Sequence, residues 1–263
     1  MDVDGGSHVV VSTGDVIGAT IAGAMVAIET ATETVGVAVR TATGVQAELT
    51  LTGRRRHVET LTPALEHLLA QLDLVPGDLG VVAVDIGPGL FTGLRVGVAA
   101  AKGLAQSLGI GVVGATSLDI LTTGAAAAGQ RGLVLACVDA RRGEVFAAVH
   151  EVDVPGPMPV VHDVRLGLGL FAPGELAAAL GEFAGEPVHA VGDGALRYAD
   201  VLRAVPGVDP AAPGLAFPPP GALLDLVRAR MEAGEPPVRP AAVVPLYMRQ
   251  ADAVSNYTRA VRA

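Results

Sequence analysis

The sequence is poor in several residue types that chemistry and packing often rely on. It contains one cysteine, Cys137, one lysine, Lys102, and no tryptophan, and aromatic residues make up only 3% of it. A single cysteine excludes an intrachain disulfide and a cysteine-rich metal site. Because Cys137 lies in the apolar run at 133–138, we expect a buried, unreactive thiol. The core must be built from Ala, Val and Leu instead of aromatic rings.

Positive charge is also scarce, since the formal net charge of the 263-residue chain is −9. Proteins that bind RNA alone usually carry a basic surface, because neutralising phosphates supplies most of their affinity. If this chain serves an RNA reaction, we therefore expect another subunit to provide most of the RNA contact.

Membrane segments and metal-binding histidines are missing as well. The apolar run at 16–28 is shorter than the roughly 20 residues that span a bilayer, and no basic segment precedes it. No membrane contact and a cytoplasmic location are therefore expected. No two of the six histidines are four residues apart, and there is no G-x-S-x-G or Walker A sequence. We accordingly assign no catalytic residue and no metal ligand.

Apolar periodicity predicts an α/β protein in which the order β-β-β-α-β-α occurs twice. The first half has predicted strands at 25–30, 34–41, 45–51 and 81–85 and helices at 54–72 and 91–108. The second has predicted strands at 133–139, 144–151, 159–165 and 188–191 and helices at 173–183, 195–205 and 221–232. This duplication indicates two actin-like (ribonuclease H-like) lobes with a cleft between them.

The domain boundaries follow from this order. We predict a first lobe at 25–115, a second lobe at 116–235, and a C-terminal segment at 236–263 that packs back on a lobe. Residues 1–24 are interpreted as a flexible extension or as the product of a start site assigned too early.

The helix at 91–108 has two apolar sides, whereas a helix lying on a sheet needs only one. The second side carries Gly93, Gly97, Ala100 and Leu104, and the Gly-x-x-x-Gly spacing allows a close helix contact. We hypothesise that this side packs against a helix of another chain. The alternative is the 54–72 helix of the same lobe, and both hold if two helix pairs meet. The predicted interface comprises Leu61, Leu65, Phe91, Gly93, Leu94, Arg95, Gly97, Ala100, Lys102 and Leu104.

Two glycine turns at strand ends are candidates for holding a nucleotide in the cleft. One side is predicted to have Glu29, Thr30, Thr32 and Gly87, and the opposite side Gly192, Asp193 and Gly194. The alternative is that both are inherited turns without a ligand. The spacing G-x-G-x-x-x-G at 87–93 does not match the dinucleotide fingerprint.

Six segments, in chain order, resemble signature segments of the TsaB family. They are MVAIETAT at 25–32, HVETLTPAL at 57–65, DIGPGLFTGLRVG at 85–97, AKGLA at 101–105, DARRGEVF at 139–146 and PLYMR at 245–249. One departure is Glu29, at a position where the actin-like superfamily usually has Asp. Its longer side chain argues against nucleotide turnover by this chain alone.

The resemblance implies a non-catalytic scaffold subunit that pairs with a catalytic relative, TsaD. An ATPase, TsaE, joins them, and the complex makes threonylcarbamoyladenosine beside the anticodon of tRNA. The subunit is expected to form homodimers when alone and to reach tRNA only through the complex. No cofactor of its own is expected, with ATP or ADP as candidate ligands at the interface of the complex.

Two other functions stay open at this point. A self-sufficient kinase or carbamoyltransferase of the same fold would hydrolyse ATP alone at rates on the order of 1 s⁻¹, and Asp193→Ala would abolish this. A pure interaction protein would present the same helices without affecting tRNA modification.

Overall fold

The computed structural model describes residues 23–53, 57–152, 163–210 and 213–249. These residues form two lobes, each built on a five-stranded mixed sheet. Most of the predicted extension at 1–24, the start of the predicted 54–72 helix, most of the strand predicted at 159–165, and residues 250–263 lie outside the described residues.

In the first lobe, an antiparallel meander is followed by two parallel strands. The strand order is β3-β2-β1-β4-β5. The elements are β1 (Ala24–Glu29), β2 (Thr34–Arg40), β3 (Gln46–Thr52), α1 (His57–Gln71), β4 (Leu79–Gly87), α2 (Phe91–Leu108) and β5 (Gly111–Thr116). β1 is buried on both faces, because Val26 and Ile28 face one core and Met25 and Ala27 face another.

The second lobe repeats this plan, with the order β10-β9-β6-β7-β8. The helix α3 (Ser117–Ala127) comes before it in the chain. The elements that follow are β6 (Gly132–Arg141), β7 (Glu144–Val152), β8 (Asp163–Phe171), α4 (Pro173–Leu180), β9 (Val188–Val191), α5 (Asp193–Arg197), α6 (Ala199–Arg203), β10 (Val208–Pro210) and α7 (Pro220–Glu232). β6 occupies the central position that β1 has in the first sheet, so the predicted duplicated α/β fold is confirmed.

Some elements differ from the prediction. β5, α3 and β10 were not predicted, and the helix predicted at 195–205 is two short helices that meet at Tyr198. The last three residues of the strand predicted at 159–165 fall in β8, which runs from Asp163 to Phe171. Gly167 and Gly169 interrupt its apolar pattern, and glycine is unfavourable in strands.

The two lobes exchange helices across their junction. α7 packs on β1 and β2 of the first sheet, with Leu223, Leu224 and Val227 fully buried there. α3 packs on β6 and β7 of the second sheet through Leu118 and Leu121. The predicted boundaries had placed both α3 and α7 in the second lobe, whereas α7 packs on the sheet of the first lobe. The exchange places α3 and α7 between the two sheets, where they also contact each other.

A C-terminal strap, defined here as residues 236–249, runs back over the first lobe. Val238 forms an antiparallel bridge with Val112 at the free edge of β5. Further along, the Leu246 amide donates to the Ile86 carbonyl at 2.7 Å. Arg249 reaches the second lobe, where it donates to the Ala140 carbonyl and pairs with Glu144. The strap therefore links both lobes.

Among the described residues, no helix combines the length and the apolar character needed to cross a membrane.

The helix exchange makes a testable prediction about Leu223, which lies in the second half of the chain but in the core of the first lobe. Leu223→Ala should lower the free energy of unfolding by about 2–5 kcal/mol, because it leaves a cavity beneath α7. Hydrogen exchange should accelerate in β1 and β2. Val244→Ala, at a position that is 61% exposed, is the control with little effect. Faster exchange confined to the second sheet would contradict the described packing.

Candidate functional site

The position of α2 is set by a close contact with β1. Gly97 lies directly against Thr30, and a β-carbon at Gly97 would collide with the Thr30 hydroxyl. That hydroxyl donates a hydrogen bond to the Gly93 carbonyl at 2.8 Å. Both glycines are buried. Gly97 therefore allows the backbone of α2 to approach the end of β1 in its own lobe.

This contact corrects the interpretation of the glycine side of α2. The sequence predicted that Gly93 and Gly97 face a helix of another chain, but they face β1. Leu61 and Leu94 of the predicted interface are also inside the first lobe, being only 4% and 1% exposed. The buried side of α2 comprises both glycines together with Leu94, Val98, Ala101 and Ala105, so it is wider than periodicity alone indicated.

A different stripe of α2 faces outward. Ala99 and Gly103 are exposed, and next to them Val96, Ala100 and Leu104 are half-buried. A β-carbon at Gly103 would meet open space, so nothing in the described structure requires glycine there. In a helix interior, glycine is about 1 kcal/mol less favourable than alanine. The outward stripe is therefore flat and apolar at a cost in helix stability.

α1 lies beside α2 on the same face of the first sheet and extends this surface. Leu65 is half-buried, and Val58 is 72% exposed near the start of α1. We call the combined surface the α1/α2 face. It consists of Val58, Leu65, Val96, Ala99, Ala100, Gly103 and Leu104.

The three other predicted interface residues lie along the border between α2 and the strap. The Lys102 ammonium donates to the Val243 and Ala241 carbonyls at 2.9 and 3.3 Å. The Phe91 ring lies 4.9 Å from the Tyr247 ring. Arg95 is exposed and donates from Nε to the Tyr247 hydroxyl at 3.1 Å. The sequence prediction did not include Tyr247, although it stands in the PLYMR segment that carried the family resemblance.

On the first-lobe side of the cleft, the Glu29 carboxylate is held by its own turn. It is fully buried, and it accepts from the Ala31 amide at 2.8 Å and the Thr34 hydroxyl at 2.6 Å. The Thr32 hydroxyl is within 3.4 Å. Burial, reinforced by the charge of Asp85, raises the pKa of Glu29 to about 8.

Asp85 lies at the end of β4, in the turn that leads to Gly87. Its Oδ1 accepts from the Gly87 amide at 2.7 Å and from the Ser117 hydroxyl at 2.8 Å. Its Oδ2 has no hydrogen-bond partner among the described residues. Burial raises the pKa of Asp85 to about 7. Two neighbouring carboxyl groups are therefore held inside the first lobe under conditions that favour their neutral forms.

On the second-lobe side, the Gly192–Gly194 turn is pressed against β6. A β-carbon at Gly192 would collide with the Cys137 carbonyl, and its φ of +101° favours glycine. Asp193 Oδ1 accepts from the Asp139 amide at 2.9 Å. Burial raises the pKa of Asp193 to about 6. The carboxylate of this turn is therefore engaged by its own lobe.

Arg141 connects the two sides of the cleft. Its guanidinium pairs with Glu33 of the first lobe at 2.5 Å and with Asp139 of the second at 2.9 Å. Glu33 follows Thr32 in the first turn, and Asp139 carries the bond to Asp193. The two turns that were predicted to bind a nucleotide therefore lie on opposite sides of the ion pairs that Arg141 makes. Neither Arg141 nor Glu33 was predicted as a site residue.

Among the described residues, no group of three or more His, Cys, Asp and Glu side chains is arranged to hold a metal ion.

The buried carboxyl pair predicts how stability changes with pH. The folded-state pKa values of Glu29 and Asp85 lie above the ordinary values of 4.5 and 3.8. Their contribution to stability is therefore complete below about pH 4 and is lost as the pH rises through 7 to 8. In urea unfolding, the wild type should be less stable at pH 8.5 than at pH 5.5. Glu29→Gln should reduce this difference in the free energy of unfolding by an amount on the order of 2 kcal/mol.

The exposed Glu182 provides the control, because Glu182→Gln should leave the slope of stability against pH unchanged. If Glu29→Gln also leaves the slope unchanged, then the buried carboxyl is not the group responsible.

Comparison with known proteins identifies both a matching family model and a protein of the same fold. The family model described as "TsaD: tRNA N6-adenosine threonylcarbamoyltransferase" matches residues 41–155. YeaZ from Pseudomonas aeruginosa has the same fold, with a TM-score of 0.73 and 23% identity over 86% of this chain and 100% of that one.

Sequence relatives match either most of the chain or about half of it. An uncharacterized protein of Mycobacterium tuberculosis is 37% identical over 235 residues, which is 87% of this chain and 93% of that protein. The tRNA threonylcarbamoyladenosine biosynthesis protein TsaB of Bacillus subtilis is 37% identical over 48% of this chain and 55% of its own length. TsaB of Escherichia coli is 34% identical over 50% of this chain and 57% of its own length. The chain belongs to the TsaB (YeaZ-like) family, whose named members are proteins of tRNA threonylcarbamoyladenosine biosynthesis.

Proposed function

We propose that this chain is the non-catalytic scaffold subunit of the complex that makes threonylcarbamoyladenosine in tRNA. In this proposal it pairs through the α1/α2 face with a TsaD-type catalytic subunit, and a TsaE-type ATPase joins the pair. The observation that carries the proposal is the outward stripe of α2, where Ala99 and Gly103 are exposed without any internal reason for a glycine.

The shape and chemistry of the α1/α2 face support docking of a helix. Small residues at positions i and i+4 let a second helix backbone come close, while the flanking Val96, Leu104 and Leu65 supply apolar contact area. A specific interface of standard size covers about 800 Å² on each partner, which requires both helices. Without the catalytic subunit, we expect two copies of this chain to pair through the same face.

The cleft supports a role without nucleotide turnover by this chain. The Thr30 hydroxyl donates to the Gly93 carbonyl, and the Glu29 carboxylate accepts from the Ala31 amide and the Thr34 hydroxyl. Arg141 spans the cleft as an internal cation, because it pairs with Glu33 of the first lobe and with Asp139 of the second. ATP or ADP, if required, is proposed to bind where the subunits meet and not in this cleft.

The negative net charge supports contact with tRNA through the complex only. Phosphate contacts require clustered Lys and Arg, whereas most arginines described in this structure are paired with carboxylates of the same chain. Examples are Arg40 with Asp225, Arg165 with Glu151 and Arg230 with Asp119.

Gly103→Leu tests the proposal because stability and pairing should respond in opposite directions. The leucine has open space and a better helix propensity, so at a concentration at which both are monomeric the variant should be as stable as the wild type or more so, by up to about 1 kcal/mol. The added side chain should prevent a helix from approaching and abolish the complex with the TsaD-type subunit. Light scattering of the mixed proteins gives the mass, and thermal unfolding gives the stability.

Ala178→Leu is the matched control, because Ala178 is an exposed alanine on α4 of the second lobe and its replacement should leave pairing intact. In cells, Gly103→Leu should lower the threonylcarbamoyladenosine content of bulk tRNA, as measured by mass spectrometry. A folded Gly103→Leu variant that still forms the complex and supports normal modification would refute the proposal.

A further inference from the structure

Arg95 lies at the border of the α1/α2 face, and its guanidinium is held in one orientation. The group is stacked on the Phe91 ring, with its central carbon 3.8 Å from the ring centroid. Its Nε donates to the Tyr247 hydroxyl at 3.1 Å, and the Tyr247 ring lies 5.9 Å from the same carbon. One face and one edge of the guanidinium are therefore fixed by an α2 residue and a strap residue.

The remaining edge of this guanidinium is unused. Within the described part of the chain, neither terminal nitrogen of Arg95 makes a hydrogen bond or pairs with a carboxylate. Other arginines of the structure do have carboxylate partners, namely Arg40, Arg141, Arg165, Arg197, Arg203, Arg228, Arg230 and Arg249.

The free edge has the geometry that binds a carboxylate. Two parallel N–H groups on a planar guanidinium form bidentate hydrogen bonds with both oxygens of Asp or Glu. The stacking on Phe91 restricts the side chain before any partner arrives, so less conformational entropy is lost on binding. Arg95 precedes Ala99 by one helical turn, so its free edge lies beside the surface proposed to receive a helix.

A nucleic-acid phosphate fits this position less well. Binding a phosphate backbone takes several cations. The one lysine of the chain, Lys102, stands two turns along α2, and its ammonium is already engaged by the Val243 and Ala241 carbonyls. An isolated, fixed guanidinium next to an apolar stripe is typical of a protein interface, in which arginine is enriched.

We propose that Arg95 is the polar anchor of the α1/α2 face and binds the carboxylate of an Asp or Glu on the partner protein that docks there. Tyr247 of the strap is its positioning residue. The inference rests on the proposed function, because it assumes that the α1/α2 face is a protein-docking surface, and it adds the chemistry that the partner presents at one end of that surface.

Titration of Arg95 variants against the TsaD-type subunit tests the anchor. Arg95→Ala should weaken the complex by about tenfold or more, because it leaves the partner carboxylate buried without its cation. Arg95→Lys should recover only part of the affinity, since an ammonium cannot bind both oxygens side by side. Tyr247→Phe should cause a smaller loss and leave the salt dependence of binding in place. Arg203→Ala removes an exposed arginine of α6 and should change nothing.

The partner carboxylate is then identified by changing acidic residues of its docking surface to the corresponding amides. The correct one should weaken binding to the wild type and have no effect on binding to Arg95→Ala. Thermal unfolding of each variant checks that the fold is intact, and Arg95→Gln replaces Arg95→Ala if the alanine variant does not fold.

The outcomes separate the anchor from the docking face. If Gly103→Leu abolishes the complex while Arg95→Ala binds like the wild type, the anchor is refuted and the docking face stands. If both variants bind like the wild type, the docking face itself is refuted, and the anchor with it. If Arg95→Ala leaves protein affinity unchanged but weakens tRNA binding by the assembled complex, the free edge binds phosphate and the carboxylate assignment is overturned.

Discussion

The close contact between α2 and β1 determines how the first lobe presents itself to other molecules. Gly97 allows the helix backbone to lie against the end of β1, and the Thr30 hydroxyl that follows β1 holds the helix there through the Gly93 carbonyl. This fixes the rotation of α2 about its axis. With its glycine side against β1, the helix directs Ala99 and Gly103 outward and places Arg95 within reach of the strap. The proposed docking surface is thus a consequence of an internal packing requirement.

Side chains at the turns that border the cleft are likewise engaged within the chain. The Thr30 hydroxyl serves α2, Glu29 serves its own turn, and Arg141 closes the cleft with an ion pair to each lobe. The exchange of α3 and α7 between the sheets, together with the strap, ties the lobes into one unit. These features favour a rigid subunit that presents a surface over one that opens and closes around a substrate, because domain closure requires a junction with few shared contacts.

Much of the fold was predictable from the sequence, because its strands and helices have clear periodicity. The bounds of α2 were predicted correctly, and the helix ends at Gly109, which has a left-handed C-cap conformation. α3 was missed because nearly all of its residues are buried, including Ser117, Thr122 and Thr123, so its polar residues do not mark the solvent-exposed side that reveals a surface helix. The lobe on which α7 packs is a tertiary property that chain order does not carry.

The candidate site was predictable only in part. The sequence indicated that α2 has a second apolar side, but it did not reveal that Gly93 and Gly97 belong to the buried one. Nor did it identify Ala99 and Gly103 as the outward pair, since small residues occur on both sides. The partners of Arg95 and Arg141 come from segments 152 and 108 residues away in the chain, and local patterns contain no information about such distant contacts.

Hydrogen exchange of the chain alone, at a concentration at which it is monomeric, and in complex with the TsaD-type subunit tests the central claim most directly, namely that the outward side of α1 and α2 is the partner surface. The account predicts that complex formation slows exchange of backbone amides in α1 and α2, while amides in α4 and β8 of the second lobe exchange at unchanged rates. Protection that appears on β8 or α4, with α1 and α2 exchanging as in the free chain, would contradict it.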